Sequence, residues 1–536
     1  MVAISCALYD VLEAEFAFDL NLATTANLTY TTMMTNDNEQ PDELQQPTLP
    51  LIYLPIELAE EVSMYFEGRD AAKLLRVSRS FHSLFLPRVW NRLATFATIK
   101  DDEIKQLLLE KYGHFTRIMD FTNYTIYQFK FDWLPFVINT THLNAVIHIG
   151  ITVEMVEVLE KFIKQSKIVQ ILSIRFDNFR TSVKYDELAA AINGLKYLKR
   201  ITCEFVKVFG SSGAEGQWMR AASFVDLLHP SVRSKLRLKM RFHTAFNEAA
   251  VQGLAPYIVQ LRISGKYTCT ADLADKFFCV RDNEGQPLVF PQLKEMTMIS
   301  CCFKSGNHGI KSITASRLPQ LQILYFYDGP CDLLDQDEID DNKQETYDWK
   351  PEYSGYPHII IPSQRWQYLK ELRIGIVSSS ILMDIIDLNP LFQKLSVGAE
   401  HSRVPKVNDA SKYNNDEFQL DTILYRLPRL EYFSIERLNS RIIAEPAAIP
   451  TKRRYNIQIT IGRQMSIAPS ATAYILQIPQ LTNLSFYECV FVDVDETIQL
   501  LQSSAATCGV KQFDWFPIEW NIDLALAIEK KIPQKK

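Results

Sequence analysis

The sequence predicts an α/β chain: a short all-helical module, then a long solenoid with a curved parallel sheet inside and helices outside. Three observations carry this. Residues 51–95 show an apolar stripe recurring every fourth residue, at Leu54, Leu58, Val62 and Phe66, the period of an amphipathic helix. Behind it a frame recurs: Phe290-Pro-Gln-Leu293-x-x-Met296-x-Met298, Leu318-Pro-Gln-Leu321-x-x-Leu324-x-Phe326, Leu427-Pro-Arg-Leu430-x-x-Phe433-x-Ile435 and Ile478-Pro-Gln-Leu481-x-x-Leu484-x-Phe486. Between copies, segments such as Val153, Val156, Leu159, Phe162 and Ile163 return to helical spacing.

The frame has a direct physical meaning. Its last two apolar residues stand two apart and share one face of a short strand. The proline blocks helix continuation and presets an extended entry to that strand. A single strand–helix unit cannot bury its apolar face alone, so units stack and share one core. Strand, helix and strand in the same sense give a parallel sheet. Copies without the proline occur at Tyr197-Leu198 and Tyr368-Leu369, and further ones at 116–121, 143–149, 169–174, 236–240, 258–263 and 457–461. Their spacing is that of a leucine-rich array.

In chain order, residues 1–50 form an N-terminal segment, rich in Thr, Asn, Gln, Asp and Pro from 24 onward, and read as a linker. The helical module spans 51–95. Pro55 suits a first helical position, Asp70 can cap a second helix carrying Leu74 and Leu75, and Ser78 can cap a third carrying Phe81, Leu84 and Phe85, with Pro87 as its stop. So small a unit has too little core to stand alone and needs a partner or the next domain. The solenoid is expected over 110–525, with about a dozen parallel strands, and a basic tail over 526–536. Two insertions interrupt it: 328–362, with eight acidic residues between Asp332 and Asp348 against Lys343, and the polar 400–418.

Composition excludes several classes. The 57 basic and 63 acidic residues give −6, against a general nucleic-acid binder. Nine scattered cysteines contain no CxxC pair, which reads as free thiols in a reducing compartment without structural zinc. No stretch is long and apolar enough to span a bilayer, and the apolar N-terminus lacks a leading basic residue. The expectation is a cytoplasmic or nuclear protein without membrane association or cofactor. Asp335-x-Asp337 begins like a calcium loop, but Ile339 falls on a ligand position. Gly210-Ser-Ser-Gly213-Ala-Glu-Gly216 matches no phosphate-loop spacing and reads as a flexible connection, and Lys452-Arg453-Arg454 as a solvated turn. No catalytic motif appears, and the chain reads as a non-enzyme.

The helical module resembles an F-box. Leu54-Pro55-Ile56-Glu57-Leu58, then Asp70 and Leu74-Leu75, then Val77-Ser78-Arg79-Ser80-Phe81, then Pro87 and Trp90 follow that family's order and spacing. Ala59, Val62 and Ala72 stand where larger aliphatics are usual. The repeats look like those of leucine-rich F-box proteins, particularly the degenerate fungal ones. The resemblance implies a substrate-recognition subunit of a Skp–cullin–F-box ubiquitin ligase. The module would dock the Skp-type adaptor, and through it the cullin, by Leu54, Pro55, Leu58, Leu74, Leu75, Val77 and Phe81. The array would hold an unknown protein substrate. A leucine-rich scaffold without any ligase is the alternative, and a β-helix glycosidase the third class.

The strand period selects the substrate-facing residues. In Leu321-Gln-Ile-Leu324-Tyr-Phe326-Tyr327 the frame turns inward, leaving Ile323, Tyr325 and Tyr327 outward. The same register exposes Glu295 and Thr297, Glu371 and Arg373, Tyr432 and Glu436, and Asn483, Ser485 and Tyr487. Tyrosine and arginine are favoured anchors of interfaces, so Ile323, Tyr325, Tyr327, Glu371, Arg373, Tyr432 and Tyr487 are the expected substrate contacts.

Overall fold

The computed structural model describes residues 73–75, 79–93, 107, 110–120, 145–151, 159–160, 163–164, 168–176, 185–205, 214–242, 246–264, 273–299, 313–327, 362–375, 377–398, 416–436, 440–445, 453–462, 465–503, 509–516 and 521–532. The linker of 1–50, the start of the helical module and the acidic insertion therefore lie outside the described residues. The chain forms two compact units, residues 1–204 with 224–237 and residues 205–223 with 238–536.

The first unit carries β1 (Arg92–Leu93), β2 (Ile118–Asp120), β3 (Ala145–Ile151), β4 (Ile171–Phe176) and β5 (Arg200–Phe205). Strands β1 to β4 pair in chain order, each pair parallel, and β5 follows β4. Helix Arg79–Asn91 precedes them. It runs through Pro87, which corrects the expectation that this proline stops it. Proline forfeits one backbone bond there, but burial of Phe85 and Trp90 on either side holds the turn. Trp90 stacks on Tyr112 at 4.7 Å, the Thr116 hydroxyl donates to the Trp90 carbonyl at 3.2 Å, and Arg117 N–H donates to Asn91. The helix thus passes directly into β1, so the sheet begins at Arg92 rather than after residue 110.

The second unit carries β6 (Leu236–Phe242) from Leu238 onward, β7 (Ile258–Ser264), β8 (Glu295–Ile299), β9 (Ile323–Tyr327), β10 (Glu371–Ile374) and β11 (Lys394–Val397). Then follow β12 (Glu417–Gln419), β13 (Tyr432–Ile435), β14 (Arg441–Ile443), β15 (Ile457–Ile461), β16 (Ser466–Ile467), β17 (Leu481–Tyr487), β18 (Val490–Phe491) and β19 (Gln512–Phe516). Strands β6 to β11 and then β13, β15, β17 and β19 make one parallel sheet in chain order. The even-numbered β12, β14, β16 and β18 make a second parallel sheet that the frame did not foretell. Its first strand ends the polar insertion expected at 400–418, and Phe418, Ile442 and Ile467 bury there.

The frame residues build the core as their period requires. Leu324, Phe326, Leu372, Ile374, Leu395, Val397, Phe433, Ile435, Leu484 and Phe486 are all buried. The prolines act differently from expectation. In each of the four copies the residue two after Pro donates its N–H to the carbonyl of the residue before Pro, at 3.2 Å. Proline is the second residue of a β-turn, where its fixed φ fits. Leu198 N–H donates to Leu195 in the same way without a proline.

Buried polar side chains tie the turn of one repeat to the next. Asn389 is 1% exposed; its amide donates to Pro362, Gln364 and Ile385 carbonyls at 2.9–3.1 Å and accepts from Trp366 N–H at 2.9 Å. Arg317 donates to the Leu288 and Phe278 carbonyls, both at 2.8 Å. Arg453, expected on a solvated turn, is 8% exposed. Its guanidinium donates to the Leu424 carbonyl at 2.9 Å, to Leu427, and to Leu430 at 3.3 Å. Burial lowers both guanidinium pKa values, and backbone carbonyls accept from both side chains. At the end of β11, Gly398 has φ +118, and a Cβ there would run into the Glu436 carbonyl.

Helix Ala214–Leu227 includes Ala214 to Gly216, correcting their reading as flexible connection. Helix Ile522–Glu529, capped by the Asn521 side chain, enters the segment expected to be a tail. It packs on helix Val494–Ser503, which the apolar Leu524, Ala527 and Ile528 allow.

Candidate functional site

The candidate site is the sheet face of the second unit opposite the buried frame residues. Parallel pairing in register lines its side chains into rows across neighbouring strands. One row reads Lys239, Gln260, Glu295, Ile323, Glu371, Lys394, Tyr432, Gln458, Asn483 and Gln512. The next reads Arg241, Arg262, Thr297, Tyr325, Arg373, Ser396, Ser434, Thr460, Ser485 and Asp514. Tyr487 pairs with Phe516 in a third, and along the backbone Tyr327 is the register partner of Ile299.

Side chains along the rows bond to each other. Gln260 donates to Glu295 at 2.6 Å. Glu371 accepts from the Tyr325 hydroxyl at 2.7 Å and pairs with Lys394 at 2.9 Å. Asn483 donates to Gln512 at 3.1 Å, and the Ser485 hydroxyl to Asp514 at 3.2 Å. Tyr487 meets Phe516 edge-on at 5.6 Å between ring centres, and both are exposed. Such cross-strand contacts fix side-chain orientation, so the face is a preorganised surface rather than a set of mobile groups.

The expected outward residues fall into unequal groups. Ile323, Tyr325, Glu371 and Arg373 occupy adjacent β9 and β10 and form one patch. Tyr432 lies three strands from Ile323, about 14 Å at the usual ~4.8 Å spacing, and Tyr487 five strands from Tyr325, about 24 Å. Thr297 sits in the outward row but is 5% exposed, because Arg262 and Tyr325 flank it. Lys394, Arg241, Arg262 and Phe516 complete the face and were missed. Arg241 and Arg262 follow from the same register rule applied to the copies at 236–240 and 258–263.

Of the expected adaptor contacts, Leu54, Pro55, Leu58 and Val77 lie outside the described residues. Phe81 lies in helix Arg79–Asn91. Leu75 is 4% exposed and packs with Phe85 in a small core that Leu74, Leu84, Leu86 and Val89 adjoin. Leu75 therefore supports the module from within. Among the described residues no helix is long and apolar enough to cross a membrane, and no cluster of three His, Cys, Asp or Glu is placed to hold a metal.

The repeated strand frame, parallel order and shared core define the chain as an α/β leucine-rich-repeat solenoid. No family model matches the sequence. No curated protein matches it. Among solved structures it is similar to the mouse RP105/MD-1 complex, at 11% identity and TM-score 0.35, covering 78% of this chain and 71% of that one. It is also similar to an internalin from Listeria monocytogenes, at 10% identity and TM-score 0.28, covering 71% of this chain and 82% of that one.

Proposed function

We propose that the chain is the substrate-recognition subunit of a Skp–cullin–F-box ubiquitin ligase. The F-box-like segment docks the Skp-type adaptor, and the open sheet face captures a protein substrate. The reading rests on the sequence order from Leu54-Pro55 to Trp90. The path of helix Arg79–Asn91 supports it: the helix that would close the docking module continues into β1. The subunit catalyses nothing itself and works in the cytoplasm or nucleus.

The test is recovery of partners by the full chain and by a chain lacking residues 51–78. This deletion spares helix Arg79–Asn91 and the Trp90–Tyr112 stack that anchors the array. Adaptor should be lost and substrates kept. Leu58→Asp should repeat the loss, by placing an unpaired charge at the docked surface. Changing Tyr325, Tyr327 and Arg373 together to Ala should lower substrate capture tenfold or more, if each contributes about 1 kcal/mol, with adaptor binding intact. Absence of adaptor from the full-chain complex sinks the ligase reading and leaves the leucine-rich scaffold.

A further inference from the structure

Strand β19 is the last of the main sheet, and no described strand pairs with its outer side. In a parallel ladder alternate residues turn N–H and C=O to the preceding and to the following strand. Here the outward-row residues bond backward: Gln458 N–H donates to Glu431, and the Phe516 carbonyl accepts from Glu488 at 2.6 Å. Gln512, Asp514 and Phe516 therefore direct their backbone groups to β17, with which they pair in register. Phe513 and Trp515 turn theirs to the outer side. These N–H and C=O groups stand in a row, a template for another strand.

The apolar layer is open at the same end. Inner repeats bury their frame residues fully, as at Leu484 and Phe486. The corresponding Phe513 and Trp515 stay partly exposed. Phe516 is 58% exposed, and Ile522 and Leu526 are 71% and 48% exposed. The last two lie on the side of helix Ile522–Glu529 opposite the buried Leu524, Ala527 and Ile528. Since this helix packs on helix Val494–Ser503, Ile522 and Leu526 turn away from the array. A terminal repeat normally presents a polar outer face. This one exposes about 400 Å² of apolar side chain, taking each large side chain at roughly 150–200 Å². Interfaces are somewhat over half apolar, so the patch corresponds to about 700 Å² a side, close to the ~800 Å² per partner of stable ones.

We propose that this end is a docking surface for a second copy of the chain, with β19 pairing antiparallel to β19 across a twofold axis. The choice of occupant rests on self-complementarity. Side chains opposite each other across such a pair share one side of the sheet. A register centred on Phe513 sets Gln512 of one copy opposite Asp514 of the other, amide against carboxylate, twice over. One Asp514 oxygen is available for this: Ser485 and Gln512 both donate to Oδ2, and among the described residues nothing donates to Oδ1. The same axis relates the two terminal helices. Laid antiparallel, they bring Asp523 near the start of one toward Lys530 just past the end of the other. The patch on β9 and β10 lies further along the sheet and stays open.

The test is sedimentation velocity of the full chain, with amide hydrogen exchange at low and high concentration. Dimer should form with a dissociation constant of about 1–10 μM. Ile522→Asp with Leu526→Asp, both at exposed positions, should weaken it about a hundredfold by burying unpaired charge, with the circular dichroism spectrum unchanged. Gln512→Lys places a cation opposite Asp514 and should tighten the dimer about fivefold. The Phe513 and Trp515 amides should gain protection as concentration rises, and lose it in the double Asp variant. A monomer at every concentration up to about 100 μM overturns the proposal. So does a dimer that the double Asp variant or Gln512→Lys leaves unchanged, or one whose Phe513 and Trp515 amides exchange as fast as in the monomer. Capture of an extended peptide along β19 by a chain that stays monomeric would assign the edge to a different strand and equally overturn it.

Discussion

Arg453→Ala tests whether carbonyl-bound arginines hold adjacent repeats together. The guanidinium reaches three carbonyls of the preceding Leu427-Pro-Arg-Leu430 turn and its helix, two of them closely, and the side chain is 8% exposed. Truncation leaves these acceptors without that donor in a site too enclosed for water to enter freely. Each hydrogen bond from a charged donor contributes about 1.5–3 kcal/mol, and an unsatisfied buried group costs about 1–3 kcal/mol. Against this stands relief of the burial that lowers the arginine pKa. The balance is a loss of about 3 kcal/mol, confined to the turn and its neighbours. With two compact units, one global unfolding energy is a poor measure, so amide hydrogen exchange is the assay. The Leu430 and Gln458 amides, which donate to Leu427 and Glu431, should exchange roughly a hundredfold faster, since about 1.4 kcal/mol is tenfold. Lysine at 453 should not restore protection, because it lacks the planar fork that spans several acceptors. Exchange within threefold of the parent would refute the reasoning and leave Arg453 a packing residue.

Asn389→Asp turns a carboxylate toward the Pro362, Gln364 and Ile385 carbonyls that the amide served; a loss of about 3 kcal/mol should follow, with Trp366 emission shifting red. Gly398→Ala forces a Cβ at φ +118 into the Glu436 carbonyl; strain alone costs about 1–3 kcal/mol, and a melting temperature unchanged within a degree would contradict it. Burial pushes the Cys489 thiol up to about 12 and the Cys203 thiol up as well. The unfolded thiols ionise at lower pH than the folded ones. Their stabilising contribution is therefore full below pH about 9 and lost as pH rises toward about 12. Peptide-level alkylation at neutral pH should modify the exposed Cys279 while sparing Cys203 and Cys489.

The main sheet was legible because its signal is short-range and repeated. Leu-x-x-Leu-x-Leu fixes which side chains turn inward, and that register places Ile323, Tyr325, Glu371 and Arg373 together once strands stack. The second sheet was not legible: its strands run only two or three residues, too few to display a period of two. Arg453 was read as solvated because a basic triplet after a proline looks polar. Its burial depends on carbonyls some 23 to 29 residues earlier, a relation no local window contains. Pro87 misled in the opposite way: local propensity favoured a stop, and burial of Trp90 against Tyr112 and Thr116 overrode it. The proline of the frame was rightly taken as a punctuation mark, but its role is closure of a turn rather than extension.

The second sheet also bears on how the array comes apart. Repeats joined only by the main sheet share one ladder of backbone bonds with each neighbour. From Glu417 to Phe491 successive repeats share two. In a nearly one-dimensional array stability is a sum of repeat and neighbour terms, so this stretch carries the larger neighbour terms. An unzipping front started at the C-terminal end by mechanical load would slow on reaching β18. The force trace would record a pause there, and on release the doubly laddered stretch would be the segment to reform first.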